Sequence, residues 1–234
     1  MTEAEWAACT DPQPMLKSLP GKPSRRKLRL FMAACCRRVW HTFEDEDDGE
    51  DRRAAIAVAE RYADGLADDE ELESTFGDLT DGEPHRAADC CTNVAVASFE
   101  SDADAIECAV IAAQEAATDA AYDDWCKTDD REQYNAVERA EFAAQAGLLR
   151  CLFGNPFRGT RKGKAPSSQA IKSLAQAAYD ERRLPGGVLD PVRLAILADA
   201  LEEAGAAAAS IAHLREAGPH VRGCHVIDHL LGRK

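Results

Sequence analysis

The stretch Arg26–His41, RKLRLFMAACCRRVWH, decides the fold class. Leu28, Phe31, Met32, Cys35, Cys36, Val39, Trp40 and Phe43 recur at i, i+3, i+4, i+7, i+8, i+11, i+12 and i+15. That spacing places them on one face of a helix and predicts a buried face. Arginines and lysines fill the other side. Ser24 stands where an N-cap is expected, and Pro20-Gly21-Lys22-Pro23 separates this helix from what precedes it.

Moving outward, the same signals repeat. Thr2 and Glu5 form a capping box for a short helix ending near Cys9. Asp11-Pro12 opens a second short helix running to about Leu19. Glu44–Asp51, EDEDDGED, reads as a solvated acidic loop because like charges repel. Helices are then expected at Arg52–Asp64, Asp68–Phe76, Pro84–Ser98, Asp102–Trp125 and Asp129–Phe153, with a loop at Gly77–Pro84. In Asp102–Trp125, Ile106, Ala109, Val110, Ala113, Ala117, Ala120 and Ala121 make a narrow stripe that lets a neighbouring helix approach closely. Gly154-Asn155-Pro156 ends the last of these. Further helices are expected at Gln169–Asp180, Asp190–Ala204, Ala206–Glu216 and Arg222–Leu231. No stretch alternates with period two, and no fixed-period repeat is found. The expectation is an all-α, irregular bundle of about ten helices without a sheet. It divides into an N-terminal bundle (1–158), a linker-like loop (159–168, GTRKGKAPSS) and a C-terminal four-helix segment (169–234) packed on the first part.

Composition narrows the class. Of 234 residues, 45% are hydrophobic and only 6% aromatic, so alanine-rich helices must share a thin core. The net charge of −14 opposes unspecific attraction to nucleic acid or anionic lipid. The charge is also segregated. Residues 12–43 hold eight Lys/Arg and no acid, residues 148–172 six and no acid, and residues 44–147 hold 31 acids against seven bases. Docking of the basic stretches on the acidic middle is the expected outcome. The polar opening Met1–Thr10 is unlike a secretory signal, and no apolar run reaches a membrane span. With nine cysteines, an odd number, the expectation is a cytoplasmic protein with reduced thiols acting as small hydrophobes.

Three constellations could carry chemistry. Cys35, Cys36 and His41 on the central helix, with His220, Cys224, His225 and His229 near the C-terminus, are metal-ligand types, and His225 and His229 stand at i, i+4. No CxxC occurs, so no metal is favoured, and zinc is the alternative to an absence of cofactors. Cys224 has His220, His225 and Asp228 nearby, and Arg37 and Arg38 flank Cys36, but no signature of a cysteine enzyme surrounds them. Phe153–Arg158, FGNPFR, could hold an anion. Arg37, Arg38, Asn155, Arg158 and Arg222 are the candidate ligand or partner contacts. Neither nucleotide-binding fingerprint is present, and HExxH and ExxH are absent. Acid pairs such as Asp123-Asp124 read as solvated faces.

Several phrases together resemble an uncharacterised bacterial family of helical proteins: MTEAEWAACTDPQPML, RKLRLFMAACCRRVWH, ERYADGLADDEEL, LLRCLFGNPFR, AQAAYDERR, LAILADALEEAG and PHVRGCHVIDHLLGRK. The resemblance spans nearly the full length and implies a helical fold but no activity. The closing phrase departs from the family's pattern at His225 and His229, where Trp and Leu are usual, and GTRKGKAPSS is also atypical. The shared phrases direct attention to Cys35–Arg38, Gly154–Arg158 and His220–Cys224. The function expected is a non-catalytic interaction or regulatory module, partnered by another protein rather than membrane or nucleic acid. A zinc-binding or cysteine-dependent enzyme domain and an acidic nucleic-acid mimic are the alternatives.

Overall fold

The computed structural model describes residues 1–42, 49–80, 99–157 and 168–233, with side chains of 76–80 left aside. The described residues form eleven α-helices and no sheet, an all-α bundle. In chain order they are α1 Glu3–Ala8, α2 Pro12–Lys17, α3 Arg25–Arg38, α4 Gly49–Ala63, α5 Asp69–Thr80, α6 Asp102–Thr128, α7 Arg131–Phe153, α8 Gln169–Asp180, α9 Pro191–Glu203, α10 Ala208–Arg215 and α11 His225–Leu231. A 3₁₀ turn, Trp40–Thr42, follows α3.

Local chemistry sets most boundaries. Thr2 and Glu5 make the reciprocal capping box of α1. Asp11 and Asp190 cap α2 and α9, each with Pro at the start. Two sequence expectations shift. Gly49–Asp51 belong to α4 rather than to an acidic loop, and Gly77–Thr80 extend α5. The expected helix over Pro84–Ser98 and the linker over 159–167 lie outside the described residues.

The long helices α6 and α7 form a hairpin that packs across α3. Ala105, Ala109, Ala112, Ala113, Ala116 and Ala117 are buried along α6, so small side chains let the helices close up. Helix α3 is buried on almost every side. Its apolar stripe is fully enclosed, and so are Arg29 and Arg37 among the basic residues. Arg29 lies over the rings of Tyr62 and Phe99, and acids from the middle of the chain meet four other arginines, as the charge segregation leads one to expect. Arg25 pairs with Asp102, Arg26 with Asp64, Arg37 with Glu60 and Arg38 with Glu141. One continuous hydrophobic cluster joins both sides of the expected division near residue 160, from Leu30 and Leu152 to Ile227. No described helix is long and apolar enough to cross a membrane.

The C-terminal end is pressed onto α3 and α7 by glycine. Gly223 has φ +92°, and a Cβ there would lie 2.7 Å from Leu152 Cδ2 and 2.8 Å from Leu30 Cδ1. Its left-handed backbone also explains why the last helix begins at His225 and not at Arg222.

Candidate metal centre

That glycine contact brings four side chains from separate places together. Cys151 stands in the last turn of α7, His213 in α10, His220 in the following loop and Cys224 at the N-cap of α11. One ligand atom from each falls within 4.8 Å of every other. His213 Nε2 is 3.4 Å from Cys224 Sγ, and His220 Nδ1 is 3.8 Å from Cys151 Sγ. A tetrahedral zinc site with Zn–S near 2.3 Å and Zn–N near 2.0 Å needs ligand–ligand separations of about 3.3–3.8 Å. These two pairs fall in that range, and the remaining pairs lie within 4.8 Å.

The outer nitrogens of both imidazoles are held by Glu216. His220 Nε2 lies 3.1 Å from the Glu216 carbonyl oxygen, which fixes Nε2–H as donor and leaves the Nδ1 lone pair for the centre. His213 Nδ1 lies 3.8 Å from the Glu216 carboxylate. His213 packs edge-on against His220 and tilted against His225, with ring centroids 4.7 and 4.3 Å apart. His225 Nδ1 sits 2.9 Å from the Cys151 carbonyl oxygen. Gly154, with φ +62°, makes room for that ring, because a Cβ would meet His225 Cδ2 at 2.8 Å.

The electrostatics suit a cation. Burial alone would raise the Cys224 thiol, but hydrogen bonds with Cys151, His213 and His220 hold it well below the usual thiol range. Cys151 moves the opposite way, raised by its hydrogen bond to Cys224 and by burial. The two thiols therefore shift in opposite directions through their mutual interaction. Burial opposes charge on His220 while the neighbouring Cys224 favours it, and the balance is upward. Burial lowers His225. A divalent ion would replace these protons and neutralise two thiolates at once.

The centre is not sealed. A cleft of about 290 Å³ is lined by Gly147, Cys151, His213, Glu216, Pro219 and His220, and the buried Cys224 is not among its lining residues. A larger open hollow of about 470 Å³ along α8, lined by Gln169, Lys172, Gln176 and Asp180, holds no thiol or imidazole.

Two of the sequence-expected candidates, His220 and Cys224, are in the cluster. Cys35 and Cys36 are buried in the core on α3 and lie outside it. Burial raises the Cys35 thiol, and Cys35 lines neither of the two clefts described above. His41 is exposed, 3.8 Å from Asp123. His229 is exposed on α11 and is not part of the four-residue cluster. The arginine candidates are engaged within the protein. Arg37 bonds Glu60 and the Pro185 carbonyl, Arg38 bonds Glu141, and Arg222 bonds Asp64. Asn155 Oδ1 accepts from the Phe157 N–H, and Arg158 lies outside the described residues. Cys151 and His213 were missed. Within the C-terminal segment, His213, His220 and Cys224 form a local H-x6-H-x3-C spacing that could have signalled three ligands.

No family model, curated protein or solved structure matches this chain.

Proposed function

We propose that this protein is a zinc-dependent helical interaction module whose Cys151–His213–His220–Cys224 centre pins the C-terminal segment to α7. The single observation that carries this reading is the convergence of four ligand atoms within 4.8 Å of one another. Two sulfurs and two imidazole nitrogens are a donor set that suits zinc over magnesium or calcium, which prefer oxygen. Four protein ligands fill a tetrahedron, so the role is structural and no position is left for a substrate.

The interaction role rests on what the clamp holds in place. The Leu189 N–H donates to the His220 carbonyl oxygen, which ties the 183–189 loop to the ligand loop. Leu184 is 65% exposed on that loop and Val192 63% exposed just beyond it. Val188 and Ile196 are exposed as well, and this run of exposed apolar side chains between 184 and 196 supports contact with another protein. A cysteine-enzyme reading is less well supported. Cys224 has a histidine at 3.4 Å, but its sulfur is enclosed and the cleft stops at Cys151.

Metal analysis of protein purified under reducing conditions tests the reading. One zinc per chain should survive dialysis in the natural sequence and be lost in Cys151→Ser. A metal content no higher than that variant's would overturn it.

A further inference from the structure

Zinc and a disulfide would compete for the same two sulfurs. Cys151 Sγ and Cys224 Sγ lie within 4.8 Å of each other. The residues beside them are packed together: His225, next to Cys224, bonds the Cys151 carbonyl oxygen at 2.9 Å, and Gly223 leaves no space for a Cβ against Leu152. An S–S bond of about 2.05 Å requires the two sulfurs to close from within 4.8 Å. Cys35 and Cys36 are adjacent on a helix and point about 100° apart, which disfavours a bond between them. Small solutes reach the pair from one side only, because Cys151 lines the cleft and Cys224 does not.

We propose that Cys151 and Cys224 are a peroxide-sensitive pair, which a hydroperoxide entering this cleft converts to a disulfide with expulsion of the metal. The regulatory consequence rests on the zinc reading above, whereas the disulfide needs only the two thiols. Cys151, the sulfur that lines the cleft, gives its proton to solvent or loses it in exchange for the metal, and as thiolate attacks the outer peroxide oxygen, and the O–O bond breaks. The rest of the peroxide leaves as an alcohol, or as water from hydrogen peroxide, after taking one proton from solvent. Cys151 is then a sulfenic acid. The Cys224 sulfur attacks it, the S–O bond breaks, and the oxygen leaves as water with a second proton. Two electrons pass from the two sulfurs to the peroxide. Zinc loses both thiolates and departs, because two neutral imidazoles alone hold it weakly.

The experiment treats zinc-loaded and metal-free full-length protein with hydrogen peroxide beside a chromogenic zinc chelator. Free thiols are then alkylated and peptides mapped by mass spectrometry. The expected result is loss of one zinc per chain together with a peptide joining Cys151 to Cys224. Dithiothreitol should restore both thiols and zinc binding. In Cys224→Ser, Cys151 should be trapped by dimedone as a sulfenic acid. If that variant does not fold, peptide mapping of the natural sequence decides alone. Zinc release without the Cys151–Cys224 link, or oxidation confined to exposed Cys126 with zinc retained, would overturn the proposal. If the chain takes no zinc yet forms the link, the zinc reading falls and the disulfide stands. If zinc binds and both thiols stay open to alkylation after peroxide, the disulfide alone falls.

Discussion

The Sγ of Cys151 and Nδ1 of His220 stand 3.8 Å apart across 69 residues of sequence. Nothing local to either residue brings them together; the packing of the C-terminal segment against α7 does. If a metal uses that proximity, removing either ligand removes the ion. Cys151→Ser and His220→Ala should each bind no zinc after dialysis, while Cys36→Ala, in the core of α3, should keep one per chain. Cobalt(II) provides the spectroscopic check. The natural protein should show the intense visible bands of a tetrahedral thiolate site, and both ligand variants should lack them.

A bound ion adds its binding free energy to folding, because the separated ligands of the unfolded chain hold it poorly. At zinc a thousandfold above its dissociation constant, the gain is about 4 kcal/mol. For a chain of this size, 1 kcal/mol moves the melting temperature by about 2–4 °C. Removing zinc with a chelator should therefore lower the melting temperature by about 8–16 °C, and added zinc should restore it. Calorimetry with and without chelator measures this, and an unchanged melting curve would contradict a structural ion.

His225 donates no atom to the centre, yet it contacts His213 and bonds the Cys151 carbonyl oxygen. Partners that orient ligands in this way are worth about 10–100-fold in metal affinity. His225→Ala should lower zinc affinity by about that factor while still binding one ion with tetrahedral cobalt bands. Competition titration against a chelator of known affinity reads the change. Loss of the tetrahedral spectrum would instead make His225 a ligand.

Gly223 and Gly205 separate backbone strain from crowding. Both have positive φ, +92° and +68°, but only Gly223 would press a Cβ against Leu152 and Leu30. Gly205→Ala should cost about 1 kcal/mol from strain alone. Gly223→Ala should cost about 2–4 kcal/mol, adding overpacking to the same strain. Urea unfolding of the two variants provides the comparison.

The all-α class was legible because α3 and α6 carry their periodicity in the sequence, and the caps at Thr2, Asp11 and Asp190 are short-range chemistry. Contact between the basic side of α3 and acids of the middle of the chain was legible from the charge segregation. Which arginines would be fully buried was not, because the local pattern is the same for an enclosed and a solvated basic face. For the centre, His220 and Cys224 could be seen as ligand types. Cys151 could not be singled out within LLRCLF, where a cysteine between leucines reads as core filler. Its role depends on Gly223 and Gly154 letting the C-terminal turn approach α7, a three-dimensional relation with no sequence period.

Glu60 joins the two ends of the chain and makes stability depend on pH. Its carboxylate lies between Arg37 of α3 and Arg182 after α8, at 2.9 Å and 2.5–2.8 Å, and is 4% exposed. Burial would raise its pKa, but the two guanidiniums outweigh burial and hold it below the ordinary carboxylate value. Asp64, surrounded by Arg26, Arg222 and Arg233, shifts in the same direction. The unfolded chain therefore takes up protons at a higher pH than the folded one. Stability from these groups is fully present above the unfolded pKa, near 4.3 for Glu, and is lost as pH falls through the lower folded value. The urea midpoint should be insensitive to these carboxylates between pH 7 and 5 and should decline below about 4.5. Glu60→Gln at pH 7 should cost about 3–5 kcal/mol, because Arg37 and Arg182 lose a buried counter-charge. The same variant should show a shallower acid decline than the natural sequence, since one of the responsible groups no longer titrates. An equally steep decline would assign the acid sensitivity to other carboxylates.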